Sequence, residues 1–160
     1  MALNAYMTVE SKNQGKIEGS VDQAGREGTI EIFDIKHGML AVLDSGGLPT
    51  SGRQHKPLTV TKPIDKATPL LQTLLQGDDM ITKLVIELYR PSRTGAEVNF
   101  YTIELENASM VSFHLDMANN RYEGAIELPV MERISFTYDR IISTFTDGGI
   151  KAELDWESGR

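Results

Sequence analysis

Residues 25–77 read GREGTIEIFDIKHGMLAVLDSGGLPTSGRQHKPLTVTKPIDKATPLLQTLLQG. This one passage holds a strand pattern, a long connection without a period, a second strand pattern and the chain's one convincing helix pattern. In residues 28–37, Ile30 and Ile32 alternate with Thr29 and Glu31, the period of two of a half-buried strand. Phe33 and Ile35 then carry the apolar positions onward on the opposite parity, which predicts burial of both faces or a bulge near Phe33. From Gly38 to Lys56 no period survives, and Gly46, Gly47, Pro49, Thr50, Ser51 and Gly52 are turn formers. A connection of this length is longer than most domains tolerate, and such loops are functional or disordered. Folded back as two extended legs it reaches about 30 Å, against a radius of gyration of roughly 15 Å for a chain of this size. Met39, Leu40, Val42, Leu43 and Leu48 give it apolar surface ill suited to a disordered linker. The residues leave two placements open, an arm that reaches a neighbouring molecule or a flap lying on its own domain.

Beyond the arm, residues 57–61 read as a strand, and Thr61, Lys62, Asp65, Lys66 and Thr68 lead into a helix over residues 69–76. Thr68 is the expected cap, Pro69 the first helical residue and Gly77 the far end. Leu70, Leu71, Leu74 and Leu75 form one stripe, so the helix is expected to plug a β-sheet.

Outside this passage the chain is strand after strand. Residues 2–10 alternate through Leu3, Ala5, Met7 and Val9, and residues 17–20 read as a short extended piece. Residues 80–90 and 97–106 read as a hairpin about the turn at 91–95. A third strand follows over 109–117, its odd positions Val111, Phe113, Leu115 and Met117 expected in the core and its even face, with Ser112, His114 and Asp116, in water. Residues 125–128 are a short extended piece and 131–141 a strand. Residues 144–156 form a terminal hairpin around Asp147, Gly148 and Gly149, anchored by Trp156. Repeated strands, one short α-helix and a long extended loop predict a mainly β protein, an antiparallel β-barrel or sandwich.

Composition narrows the function. With 160 residues, 40% of them hydrophobic, the chain supports one domain, residues 1–160. No cysteine is present, so disulfides and thiolate metal sites are excluded. A net charge of -7 argues against sequence-independent nucleic-acid binding. The start lacks the basic segment and apolar core of a secretory signal, and no apolar run is long enough to cross a membrane, so the expected starting point is the cytosol. Charge is unevenly spread: Arg53, Lys56, Lys62 and Lys66 lie on the arm and its return, whereas Asp147, Glu153, Asp155 and Glu157 cluster near the C-terminus. A basic arm meeting an acidic neighbour would give an assembly its register.

Catalysis finds little support. His37, His55 and His114 have no metal-site spacing. Ser112, His114 and Asp116 follow one another on one strand face without an elbow or an oxyanion loop. The acid pairs Asp78 and Asp79, or Glu104 and Glu106, read as solvated carboxylates. No catalytic residue, metal or cofactor is expected.

The ordered set GREG, strand, HG, Gly-rich arm with GRQHKPL, and TKPIDKATPLLQTLLQG closely resembles the haemolysin-coregulated protein (Hcp) family, the tube subunit of bacterial type VI secretion. YTIELENASMVS, FTYDRI and DGGIKAELDW continue the family's order, so the resemblance covers nearly the whole chain. It implies a noncatalytic subunit forming hexameric rings that stack into an inner tube. The implied partners are its own copies, the sheath and spike proteins and small effectors, with no nucleic acid and no membrane insertion. It also implies cytoplasmic synthesis followed by export through the type VI apparatus without a signal peptide, and a tube domain with no C-terminal effector extension. Within that frame Met39, Leu40, Val42, Leu43, Leu48, Arg53, His55 and Lys56 are expected to contact adjacent subunits. Thr61, Lys62, Asp65, Lys66, Thr68 and Pro69 build the helix entry, and Ser112 and His114 are candidates to line the bore and touch cargo. The residues alone leave a second reading open: a monomeric β-barrel binding module, for carbohydrate or a surface protein, with the 38–56 loop as its recognition element.

Overall fold

The computed structural model describes residues 3–125 and 127–157. In chain order the strands are β1 (Asn4–Ser11), β2 (Gly15–Ile17), β3 (Ile30–Ile32), β4 (Asp34–Lys36), β5 (Met39–Leu43), β6 (Pro49–His55) and β7 (Leu58–Pro63). Helix α1 (Thr68–Gly77) follows, then β8 (Ile81–Pro91), β9 (Glu97–Asp116), β10 (Met131–Thr137), β11 (Arg140–Phe145) and β12 (Ile150–Asp155). Every strand pairing is antiparallel, and ten strands form one continuous sheet from which only β5 and β6 stand apart. The mainly β fold read from the sequence is the fold observed.

The sheet closes on itself through two strands that change leaf. One leaf holds β2, β1, β8 and the first half of β9, with β11 and β12 beyond it; the other holds the second half of β9, β10, β7 and β4. At one corner β9 passes between leaves without a break, using Asn107 at φ 49° and a bulge that sets Phe136 opposite Met110 but Ser135 opposite Ser112. At the other corner β3 pairs with β1 while β4 pairs with β7, and Phe33 between them donates its N–H to Thr61 O at 2.8 Å. The parity slip at Phe33 is thus the passage from one leaf to the other. Pairing runs from β3 through β1, β8, β9, β10 and β7 to β4, and the chain itself joins β4 to β3 through Phe33, which closes the barrel along that path.

Inside lie Met7, Val9, Ile30, Leu58, Val60, Leu84, Ile86, Leu105, Ile134 and Phe136, all fully buried. Each such aliphatic or aromatic side chain contributes about 1.5–3 kcal/mol by leaving water. Helix α1 lies against β9 and sends Leu71 and Leu74 into this core. Leu70 is exposed, so the stripe is narrower than four leucines. In the connection between β2 and β3, Gly19 packs against the start of β3, where a Cβ would collide with Thr29 O and stand 2.7 Å from Ile30 Cγ1. Only a residue without a side chain fits there.

Several expectations are corrected. The irregular arm is a two-stranded hairpin. Residues 97–106 and 109–117 are one strand, because left-handed Asn107 makes a kink within the ladder and not a turn. Residues 131–141 divide into β10 and β11 at Tyr138 and Asp139, and the terminal hairpin begins earlier, at Arg140. Ala67, not Thr68, occupies the N-cap, and Asp78 at φ 49°, not Gly77, makes the left-handed C-terminal turn, its N–H donating to Leu74 O. The odd face of 109–117 is not uniformly core: Met110 is buried and Val111 exposed because the bulge inverts parity there, and Leu115 and Met117 are exposed near the barrel end. A 3-10 turn over Glu123–Ala125 replaces part of the predicted 125–128 piece. Ala2, in the first predicted strand, and residue 126 lie outside the described residues.

Candidate functional site: the arm, its root and the polar barrel face

The β5–β6 hairpin is built by its own backbone and by Asp44. Gly46 and Leu48 N–H both donate to Asp44 Oδ1 at 2.9 Å, Asp44 N–H donates to Leu48 O, and Gly47 takes φ 81°. The turn is therefore a specified structure. The Arg53 guanidinium folds onto its own strand, donating to Thr50 O at 2.7 Å and Gly52 O at 2.9 Å. Against this order stands the exposure of Met39, Leu40, Val42, Leu43 and Leu48, each between 45% and 66%. The hairpin does not lie flat on its own barrel. Only its base approaches the rest of the chain, where Met39, Leu40, Ala41, Arg53 and His55 frame a cleft of about 330 Å³ with Leu154 of β12.

His55 belongs to the root of the arm and not to its open surface, since it is buried. Its Nδ1 lies 2.9 Å from the hydroxyl of buried Tyr138, and His37 Nε2 lies 2.7 Å from the same oxygen. His37 lies just past β4, where the chain enters the arm, and His55 ends β6, where the chain leaves it. One phenol from the β10–β11 corner therefore holds both ends, and Lys56 N–H closes the root by donating to Gly38 O at 2.9 Å. Trp156 completes the cluster, edge-on to Tyr138 at 4.9 Å between ring centres and 5.6 Å from His55, with its backbone N–H on Asp139 O. Burial pushes the Tyr138 pKa up to about 12, so its hydroxyl stays protonated. His37 is exposed on its outer side. Lost hydration of its inner edge, and then the charge of His55, lower its pKa.

The helix entry is organised by one buried cation. Lys62 is fully buried, and its Nζ donates to Glu132, Asp65 Oδ1 (2.8 Å), Pro63 O (2.9 Å) and Thr68 Oγ1 (3.3 Å). Lys62 and Glu132 are directly opposed on β7 and β10. Asp65 Oδ1 also accepts the Ala67 N–H, and Thr68 Oγ1 accepts the Asp65 N–H. The predicted Lys62, Asp65 and Thr68 are thus brought together. Thr61 faces outward, Lys66 sits at the surface 3.8 Å from Glu18, and Pro69 is exposed at the start of the helix. Glu132 was missed, because nothing near it in sequence announces a lysine seventy residues away.

The second leaf presents a polar outer face. Cross-strand register sets Lys36, Thr59, Ser135 and Ser112 in one row and Asp34, Thr61, Arg133 and His114 in the next. Thr59 and Ser135 hydroxyls are 2.8 Å apart, and Arg133 Nη2 meets Asp116 at 3.0 Å. Ser112 and His114 therefore share a wet face, and Asp116 serves Arg133 and not His114. No group of three metal-ligating side chains occurs among the described residues.

The basic set shrinks to Arg53 and Lys56, because Lys62 is buried and Lys66 lies near Glu18. On the acidic side, Asp155 accepts from Arg140 Nε at 2.8 Å and Glu153 lies 4.0 Å from the same guanidinium. Elsewhere Arg26, of the GREG segment, stacks 3.7 Å over the Tyr89 ring and pairs with Glu97 at 2.7 Å. That hydrogen bond holds the Glu97 carboxyl below its usual pKa.

The family model described as "Type VI secretion system effector, Hcp" matches residues 6–145. The chain is 33% identical to the "Major exported protein" of Pseudomonas aeruginosa over 168 aligned positions, covering 99% of this chain and 98% of that protein. Among solved structures, one described as "Crystal structure of Hcp protein" superposes with a TM-score of 0.91 at 24% identity, covering 99% of this chain and 100% of that one. The Hcp1 protein of Escherichia coli EAEC 042 superposes at 0.86 with 27% identity, covering 96% and 98%. With the family model spanning most of the barrel and a relative this similar over nearly its whole length, the chain belongs to the Hcp family of the type VI secretion system.

Proposed function

We propose that this chain is a noncatalytic tube subunit that closes into hexameric rings, which stack into the inner tube of the type VI apparatus. The observation that carries the reading is the arm: an ordered hairpin that leaves five large apolar side chains in water. A rigid apolar projection is costly in a monomer and is satisfied when a neighbouring copy covers it. A contact between an arm and a different surface of the next copy is heterologous, so it closes a ring or grows a stack. Met39, Leu40, Val42, Leu43 and Leu48 are the buried part of that contact, with Arg53 and Lys56 at its rim. The polar outer face with Ser112 and His114 lines the bore, where hydroxyls and a histidine let small effectors pass without sticking. Sheath and spike proteins meet other surfaces of the ring. The name of the Pseudomonas aeruginosa relative, "Major exported protein", supports export.

Light scattering at low and high salt, followed by negative-stain imaging of the same peak, tests the assembly. Annular particles of about six subunit masses support it, and the doubly substituted Leu43→Asp, Leu48→Asp chain is expected as a monomer. Wild-type protein that stays monomeric at every concentration overturns it. Loss of effector retention in Ser112→Arg rings tests the bore assignment separately.

A further inference from the structure

We propose that His37, Tyr138 and His55 form a proton-operated latch that fixes the arm to the barrel near neutral pH and frees it in acid. The geometry supplies the mechanism. Two imidazole nitrogens share one hydroxyl, at 2.7 and 2.9 Å, and the two rings sit at the two ends of a hairpin that otherwise touches the barrel only at its base. With both rings neutral, one accepts the phenol O–H while the other donates its N–H to the same oxygen. Each group is then satisfied. A second proton on each ring makes every ring nitrogen a donor. The phenol proton then has no acceptor among them, and two cations converge on one oxygen. Like charges this close disfavour the doubly protonated latch.

The flanking charges are of both signs. Lys36 precedes His37 and Lys56 follows His55 in sequence, adding positive charge, and Lys36 lies 3.6 Å from Asp34. From the packed corner come Asp139, which accepts from Asn107 Nδ2, and Glu157 just past Trp156. Arg53 from β6 turns to its own backbone. The lowered pKa of His37 agrees in sign, since its neutral form is the one the site favours.

The test reads the arm directly in the full chain, whatever its oligomeric state. Amide hydrogen exchange of residues 39–55, corrected for the intrinsic pH dependence of exchange, is followed from pH 7.5 to 5.0. Trp156, the single tryptophan, reports alongside by its emission, because a protonated imidazole quenches indole. Wild type is expected to lose protection in the arm by about tenfold as the shared hydrogen bonds are lost, with the far-UV signal of the barrel unchanged and the emission reduced. Tyr138→Phe is expected to exchange at pH 7.5 as wild type does at pH 5.0. His37→Gln, a change at an exposed position, keeps a hydrogen-bonding amide that does not titrate, and is expected to stay protected at pH 5.0. Arm protection in wild type that varies less than twofold across the range overturns the latch. So does a His37→Gln arm that loosens in acid as wild type does. Light scattering on the same samples separates this from the assembly reading: a wild-type chain that unlatches yet is monomeric throughout supports the latch and removes the ring.

Discussion

The barrel strand β1 and the arm strand β5 are written in the same alphabet and end in opposite surroundings. β1, NAYMTVES, buries Ala5, Tyr6, Met7 and Val9, whereas β5, MLAVL, is richer in apolar residues and leaves Met39, Leu40, Val42 and Leu43 exposed. Polarity runs the other way as well: the barrel hides a lysine completely while the arm shows leucines to water. Apolar content reports that a segment is to be covered, and says nothing about which molecule covers it. The barrel carries its whole core within one chain; in the proposed ring the arm carries half of one.

The sharpest way to break this contrast is at the buried cation. Lys62→Met leaves Glu132 and Asp65 without their shared partner in the interior and is expected to cost about 3–5 kcal/mol in denaturant unfolding. The paired change Lys62→Met with Glu132→Leu is expected to recover much of that loss. Next comes Gly19→Ala, whose new Cβ meets backbone at Thr29 and is expected to cost about 2–3 kcal/mol by the same measurement.

In the arm, charge at apolar positions should do almost nothing to folding. Leu43→Asp and Leu48→Asp are expected to move the unfolding free energy of the monomer by less than about 0.5 kcal/mol while removing assembly in light scattering. A large loss of stability instead would show that the arm packs on its own barrel. The smallest effect is electrostatic. Because the native pKa of His37 lies below its unfolded value, its contribution is fully present above about pH 6.5 and is lost as pH falls through the lower native pKa. A shallow decline of stability below that pH, absent in His37→Gln, is the expected titration.

What the sequence discloses follows from how local its causes are. Strands with one wet face announce themselves by alternation, as β1 and β8 do. The slip at Phe33 was visible as a slip, but not as a change of leaf, because the second leaf's strand β7 arrives only after the arm. Asn107 was read as a turn, because a left-handed asparagine inside a ladder leaves the same trace as one between strands. The hairpin of the arm left no period, since alternation records burial and neither face of the arm is buried in its own chain. At the site, the arm's apolar residues were legible from composition. His55 was misplaced and Glu132 went unseen for one reason: their surroundings are made by Tyr138, Trp156 and Lys62, which only the closed barrel brings to them.

The continuity of β9 has a mechanical consequence. Twenty residues of extended chain, bent at Asn107, have a contour on the order of 65 Å, and along that length one strand is bonded in turn to β8, β11 and β10. Neither leaf can be peeled away without shearing ladders that also hold the other. Force applied at one end of the subunit is shared along a single covalent spar in place of a loop joining two plates, so the barrel yields as one piece or not at all.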